Sequence, residues 1–137
     1  MQALLFELQE SQQFMYFYVC DAQNQVTQLF WIHRTTFDLL RLNPEVLIMD
    51  ATFKTNRFRL PLFNIVGTTL LNTTFFAAFV LTNSRAAEAF TWIFEKLREV
   101  YRELELDPPC TLVTDLEGGL VTPIREVFPE ASHLLCV

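Results

Sequence analysis

Two short apolar segments, each followed by an aspartate, constrain the fold of this chain more than any other feature. Residues 46–49 lead into Asp50, and residues 111–114 lead into Asp115. Short runs without polar alternation are typical of strands that are covered on both faces of a sheet. The pattern therefore predicts two buried strands that each end in a carboxylate.

The first 44 residues are predicted to form a helix, a hairpin and a second short helix that lead into the main domain. Residues 15–20 and 26–32 are rich in aromatic and β-branched side chains, and the polar residues between them predict a hairpin loop. Residues 35–42 predict a short helix that a threonine caps and that ends before Pro44.

Residues 45–137 are predicted to form the main domain. Residues 58–69 and 73–82 predict two longer strands, most simply an antiparallel pair joined near Leu71 and Asn72. Residues 86–105 predict a helix that Ser84 caps, because apolar side chains recur there at alternating steps of three and four. These side chains are Phe90, Ile93, Leu97, Val100 and Leu104. We expect Phe90, Trp92 and Ile93 to pack against the sheet.

A helix near residues 120–128 and a strand from residue 132 complete the predicted elements, although Gly118, Gly119 and Pro123 weaken the helical pattern. Antiparallel strands, a crossover helix and a further strand predict an α/β fold with a mixed sheet. A β-hairpin precedes it.

Composition excludes several classes of protein. With 137 residues and 51% hydrophobic content, the chain is predicted to be a single globular domain. A net charge of -6 repels phosphates and argues against tight non-specific DNA binding by this segment alone. The three cysteines form no CxxC pair, so a disulfide framework is not expected. We expect an intracellular protein, since neither a membrane span nor a secretory signal is visible.

Two carboxylates at the ends of separate buried strands are what a divalent-metal phosphoryl-transfer site requires. Carboxylate oxygens are hard ligands for Mg²⁺ or Mn²⁺, and two such ions can activate an attacking oxygen and stabilise a leaving one. Each aspartate also has an ordinary structural interpretation. Asp50 could terminate its strand by bonding to the following turn, and Asp115 could cap the next helix.

Three ordered blocks resemble the transposases of Mutator-like elements and the plant far-red-impaired regulators related to them. The first is MDATFKTNRFRLPLFNIVG at residues 49–67, the second is AFVLTNSRAAEAFTWIFEKL at residues 78–97, and the third is LVTDLEGGLVTPIREVFPEASHLLC at residues 112–136. Several blocks in order are far more specific than one short motif. The resemblance covers roughly residues 46–137.

The resemblance implies a ribonuclease H-like DDE/D domain that is incomplete at its C-terminus. Asp50 would be the first metal-binding catalytic carboxylate and Asp115 the second, and the third acid, usually a glutamate, is expected beyond this chain. The complete parent would need Mg²⁺ or Mn²⁺ and would cut and join DNA strands, in a nucleus if the organism is a eukaryote, and as a homo-oligomer in a transposition complex. We expect no strand transfer from the isolated chain.

Other residues have both a functional and a structural interpretation. Lys54, Asn56, Arg57 and Arg59 follow Asp50 and could contact the DNA backbone, or they could form a solvated turn. His133 and Cys136 have the spacing of half a zinc site, but strand residues are the favoured interpretation because no second half is visible. Glu117 could orient the metal site or could stabilise a helix dipole.

Two other functional hypotheses remain open. The chain could be a transposase-derived regulator, interaction domain or element remnant that keeps the fold without the chemistry. It could also belong to another ribonuclease H-like nuclease, which would account for the acids but not for the long family blocks.

Overall fold

A computed structural model describes residues 1–52, 60–115 and 118–135 of the chain. Within these ranges, the chain forms both strands and helices. In chain order the elements are α1 (Gln2–Ser11), β1 (Phe14–Cys20), β2 (Val26–His33), α2 (Phe37–Leu42), β3 (Val46–Thr52), β4 (Leu62–Thr68), β5 (Thr74–Thr82), α3 (Ala87–Glu103), β6 (Thr111–Thr114), α4 (Val121–Val127) and β7 (Ser132–Leu135). The fold is therefore α/β, as the sequence predicted.

All seven strands join one mixed sheet in the order β1-β2-β5-β4-β3-β6-β7. The β1–β2, β2–β5, β4–β5 and β3–β4 pairs are antiparallel, whereas β3–β6 and β6–β7 are parallel. Parallel neighbours need a crossover connection, and α3 and α4 supply the connections into β6 and β7. The predicted hairpin is β1–β2, and it extends the sheet of the main domain through β5.

One face of the sheet and the apolar stripe of α3 form the main core. Phe90, Ile93 and Leu97 of α3 are almost fully buried and belong to the same cluster as Leu47 and Met49 of β3. Trp92 is half-buried and packs against that cluster. The prediction that Phe90, Trp92 and Ile93 pack in the core is confirmed. We call this side of the sheet the helix face.

The opposite side of the sheet, which we call the open face, carries α1 over its first two strands. Leu5 and Leu8 of α1 pack with Val26 and Leu29 of β2 in a separate buried cluster. Further along the sheet, the Trp31 and Phe79 rings stack with their centroids 5.6 Å apart. The open face is therefore apolar around β2 and β5.

Two close contacts fix how the elements meet. The buried Tyr101 hydroxyl of α3 donates a 2.7 Å hydrogen bond to the Pro44 carbonyl just before β3. Burial, and to a lesser extent the nearby Cys110, raise the pKa of Tyr101 well above its usual value. At β4, the Phe75 ring lies across Gly67, so that a Cβ added there would be 2.3 Å from Phe75 Cζ. Only a residue without a side chain fits beneath that ring.

Several predicted boundaries and caps differ from the structure. The third helix begins at Ala87, and Ser84 does not cap it but accepts a hydrogen bond from the Ala86 amide. Thr36 stands at the start of α2 without a side-chain cap bond, since its hydroxyl donates to the His33 carbonyl. Strand β4 begins at Leu62, and the earlier part of the predicted strand 58–69 lies partly outside the described residues.

The fourth helix is short but forms where the pattern indicated. A 3-10 turn at Gly118–Leu120 precedes it, and Pro123 lies in its first turn. Proline is tolerated there because first-turn amides have no partner within a helix. In the ranges that the structure describes, no helix is both long and apolar enough to cross a membrane.

Candidate metal site at the carboxyl edge of the sheet

The strands that lead into Asp50 and Asp115 are parallel neighbours, so the two residues follow adjacent strand positions at the same end of the sheet. The β3–β6 ladder pairs Val46 with Thr111 and continues to the pair Met49 and Thr114. Asp50 and Asp115 are the next residues along the two strands, directly after the last pair of this ladder. Adjacent strands lie about 4.8 Å apart, so the backbones of the two residues are neighbours at this end of the sheet.

Alternation along β3 places the Asp50 side chain on the open face. Leu47 and Met49 are buried in the helix-face core. Side chains alternate between the two faces along a strand, so Asp50, which follows Met49, points to the open face. Asp50 is accordingly exposed, and Asp115 is half-buried. Asp50 therefore lies on the side of β3 away from the helix-face core, where its carboxylate is accessible.

The position opposite Asp50 on β4 is Asn64. In an antiparallel pair, directly opposed side chains have Cβ atoms about 5 Å apart and lie on the same face. Asn64 is half-buried and is in turn paired with Phe79 of β5. An amide side chain therefore shares the open face with Asp50, at a position that the sequence analysis did not identify.

Thr114 links Asp115 to the last strand. Its buried hydroxyl donates to the Asp115 main-chain carbonyl at 3.1 Å and lies 2.7 Å from Nε2 of His133. Desolvation lowers the pKa of His133 and so favours the neutral form of the ring. The interpretation of His133 as a strand residue is correct, since it lies within β7.

The donor set fits a hard divalent cation. Two carboxylates and a nearby amide oxygen match the oxygen ligands that Mg²⁺ and Mn²⁺ prefer. Among the described residues, no group of three or more His, Cys, Asp or Glu side chains is placed to hold a metal. Asp50 and Asp115 could therefore supply part of a coordination shell.

Several predicted site residues lie outside the described residues. Lys54, Asn56, Arg57 and Arg59 fall in the gap at residues 53–59, and Cys136 and Glu117 fall in the other two gaps. Their proposed contacts stay predictions. The expected role of Asp115 as a helix cap is not seen at α4, whose capping position is occupied by Leu120.

The mixed sheet and its helices define an α/β domain. A comparison with protein families is more specific, because the family model of the MULE transposase domain matches residues 46–137. The match covers more than half of the chain. This chain therefore belongs to the MULE transposase domain family, as the three sequence blocks predicted.

Curated relatives agree with this family. Protein FAR1-RELATED SEQUENCE 5 of Arabidopsis thaliana is 29% identical over 97 residues, which are 67% of this chain and 11% of that protein. Protein FAR1-RELATED SEQUENCE 2 of the same plant is 23% identical over 133 residues, 96% of this chain and 16% of that protein. The predicted relation to the far-red-impaired group is confirmed.

A third relative has a different kind of name. The PKS-NRPS hybrid synthetase cheA of Chaetomium globosum is 22% identical over 116 residues, which are 85% of this chain but 2% of that protein. The chain spans between 2% and 16% of the length of these three relatives. Likeness over such small shares identifies a domain and not the activity of a whole protein.

Proposed function

We propose that this chain is part of a DDE/D transposase catalytic domain of Mutator type, whose intact parent cleaves and joins DNA strands. The observation that carries the proposal is the pairing of β3 with β6, because it brings the Asp50 and Asp115 positions together at one edge of the sheet. Membership of the MULE transposase domain family supports the same reaction class.

The strand order supports a ribonuclease H-like fold for this domain. Strands β3, β4 and β5 form an antiparallel meander, and β6 and β7 then add in parallel on the other side of β3. Numbered from β3, the five strands therefore follow the order 3-2-1-4-5, with α3 and α4 as crossovers. The β1–β2 hairpin adds two strands to this unit.

In the proposed reaction, Asp50 and Asp115 hold Mg²⁺ or Mn²⁺ through their carboxylate oxygens. When bound, such ions supply the charge that activates an attacking oxygen and stabilises a leaving one during strand cleavage. Lys54, Asn56, Arg57 and Arg59 are proposed to contact the DNA backbone. The third acid of the triad is not assigned to any residue of this chain.

The metal-binding step can be tested on the chain itself. We expect Mn²⁺ to broaden NMR signals of residues near Asp50 and Asp115 in the wild-type chain, and to broaden them far less in Asp50→Asn or Asp115→Asn. Asp107→Asn is the matched control, since Asp107 is exposed and precedes β6 at the opposite end of the strand. Broadening that is equal in all four proteins would contradict the proposal.

A complete relative can test the chemistry. In an intact transposase with the same blocks, Asp→Asn changes at the positions equivalent to Asp50 and Asp115 should abolish metal-dependent strand cleavage. Unchanged cleavage would remove both residues from the catalytic assignment.

Because nuclear DNA would be the substrate in a eukaryote, the parent is proposed to be nuclear and to act as a homo-oligomer in a transposition complex.

The second candidate function is a transposase-derived interaction domain or DNA-associated regulator. The observation that favours it is an apolar surface far from the acids, where Leu70 and Leu71 at the β4–β5 turn are 98% and 87% exposed and Leu42 is 77% exposed. Exposed apolar patches mark interaction sites. If this second function is correct, Asp50→Asn and Asp115→Asn would leave partner binding unchanged, whereas Leu70→Ser with Leu71→Ser would impair it.

A further inference from the structure

A chain of two hydrogen bonds connects β7 to the backbone of Asp115. Thr114 is 1% exposed and is the last residue of β6, next to Asp115. It is 2.7 Å from His133 Nε2 and 3.1 Å from the Asp115 carbonyl oxygen. Both contacts are within ordinary hydrogen-bond range.

The single proton of the Thr114 hydroxyl determines which group donates in each of the two hydrogen bonds. A threonine hydroxyl has one proton, and here the Asp115 carbonyl can only accept it. The Thr114 oxygen must then accept from His133, which requires a proton on Nε2. The order of donation is therefore His133 Nε2–H to Thr114 Oγ1, and Thr114 Oγ1–H to the Asp115 carbonyl.

We propose that Thr114 and His133 are positioning residues that orient Asp115 for cation binding. The inference rests on the proposed function, because it deepens the role of the same site. Neither side chain is proposed to touch the cation. They act through the main chain of Asp115, which carries the carboxylate.

The need for such support follows from where the ladder stops. The β6–β3 and β6–β7 pairings both end at Thr114, so Asp115 is the first residue beyond the regular strand hydrogen bonds. A peptide group at that point can rotate, and rotation would turn the Asp115 carboxylate away from Asp50. The hydroxyl holds the carbonyl of Asp115 and thereby limits this rotation.

Strand β7 contributes the second half of the support. His133 lies opposite Leu112, two residue pairs before the end of the ladder, and its ring reaches across to Thr114. Groups that orient metal ligands through hydrogen bonds typically change metal affinity by about 10- to 100-fold when they are replaced. The pairing of β7 with β6 is therefore expected to change the cation affinity of Asp115. It acts from the side of β6 opposite β3.

The direct test needs no metal. In Thr114→Val the hydroxyl is lost while the shape is kept, so we expect the carbonyl ¹³C signal of Asp115 to move in NMR spectra. Thr114→Ser keeps a hydroxyl and should restore the signal. The ¹⁵N shifts of His133 should report the tautomer protonated at Nε2. An unmoved Asp115 signal in Thr114→Val, or a ring protonated at Nδ1 alone, would overturn the proposal.

A second readout connects the geometry to the cation. Titration with Mn²⁺ should give a dissociation constant about ten-fold higher in Thr114→Val than in the wild type, and Thr114→Ser should recover most of the affinity. His133→Leu should resemble Thr114→Val, whereas His133→Gln retains a donor and should lie closer to the wild type. Equal affinity in the wild type and Thr114→Val would refute the positioning role.

The control must separate positioning from general damage to the sheet. Thr82 is also buried at the end of a strand, and its hydroxyl donates to the Ser84 carbonyl at 3.1 Å. Thr82→Val should lower stability without changing Mn²⁺ affinity. If the wild type binds no Mn²⁺, the proposed function fails, and the NMR comparison still decides whether Thr114 and His133 orient Asp115.

Discussion

Replacing Asp50 with asparagine should make the metal-free chain more stable, because it removes repulsion between two neighbouring carboxylates. We take the strand spacing of about 5 Å as the separation of the two charges. Two unit charges at that distance in a water-like dielectric repel by about 0.8 kcal/mol. Screening reduces this to about 0.7 kcal/mol at 10 mM salt and about 0.4 kcal/mol at 150 mM.

Urea denaturation at low salt measures this effect. With a urea dependence of about 2 kcal/mol per molar, a gain of about 0.7 kcal/mol raises the midpoint by about 0.35 M. A double-mutant cycle with Asp115→Asn isolates the pairwise repulsion, because the second substitution should add little once the first charge is gone. Asp107→Asn corrects for the lower net charge.

The same variant should lose stabilisation by the cation. A free Mn²⁺ concentration ten times its dissociation constant should stabilise the wild type by about 1.4 kcal/mol and should not stabilise Asp50→Asn. The expected order of stability therefore reverses when the ion is added. The reasoning is refuted if Asp50→Asn is no more stable than Asp107→Asn, or if Mn²⁺ stabilises both variants equally.

Three further predictions concern the fold. Gly67→Ala should cost about 1–3 kcal/mol in urea denaturation because of the clash with Phe75, and adding Phe75→Leu should recover most of that loss. Tyr101→Phe should cost about 1–3 kcal/mol because the Pro44 carbonyl loses its donor. Since burial raises the pKa of Tyr101, wild-type stability should fall as pH rises above about 10, and this fall should be smaller in Tyr101→Phe. Phe90→Ala should cost about 3–5 kcal/mol, and a loss under about 1 kcal/mol by thermal or urea denaturation would contradict its place in the core.

Most of the strands and helices were predictable from local patterns. The apolar spacing of Phe90, Ile93 and Leu97 reports the buried side of α3 directly, since helix geometry converts spacing into one face. Ends were harder, because a cap depends on backbone angles that side-chain type does not determine. Ser84 is a good capping residue by type, yet its oxygen accepts from Ala86 two residues later and the helix begins beyond it.

The candidate site could likewise be predicted only in part from local patterns. Asp50 and Asp115 could be found because each follows a short apolar run, and their neighbourhood follows once the strands are taken as parallel. Asn64 and Thr114 could not be found, since their relevance depends on register across strands. His133 was considered for zinc binding, whereas its bond to Thr114 depends on the pairing of β7 with β6.

The parallel pairing of β3 with β6 also has a consequence for folding kinetics. Asp50 and Asp115 come together only after α3 has crossed the sheet and β6 has docked beside β3. Contacts of such long sequence separation form slowly, because loop closure precedes any stabilising contact. The β1–β2 and β4–β5 hairpins are local and can form earlier. Cation binding during refolding would therefore report one of the last native contacts. The time at which it appears would mark the completion of the sheet.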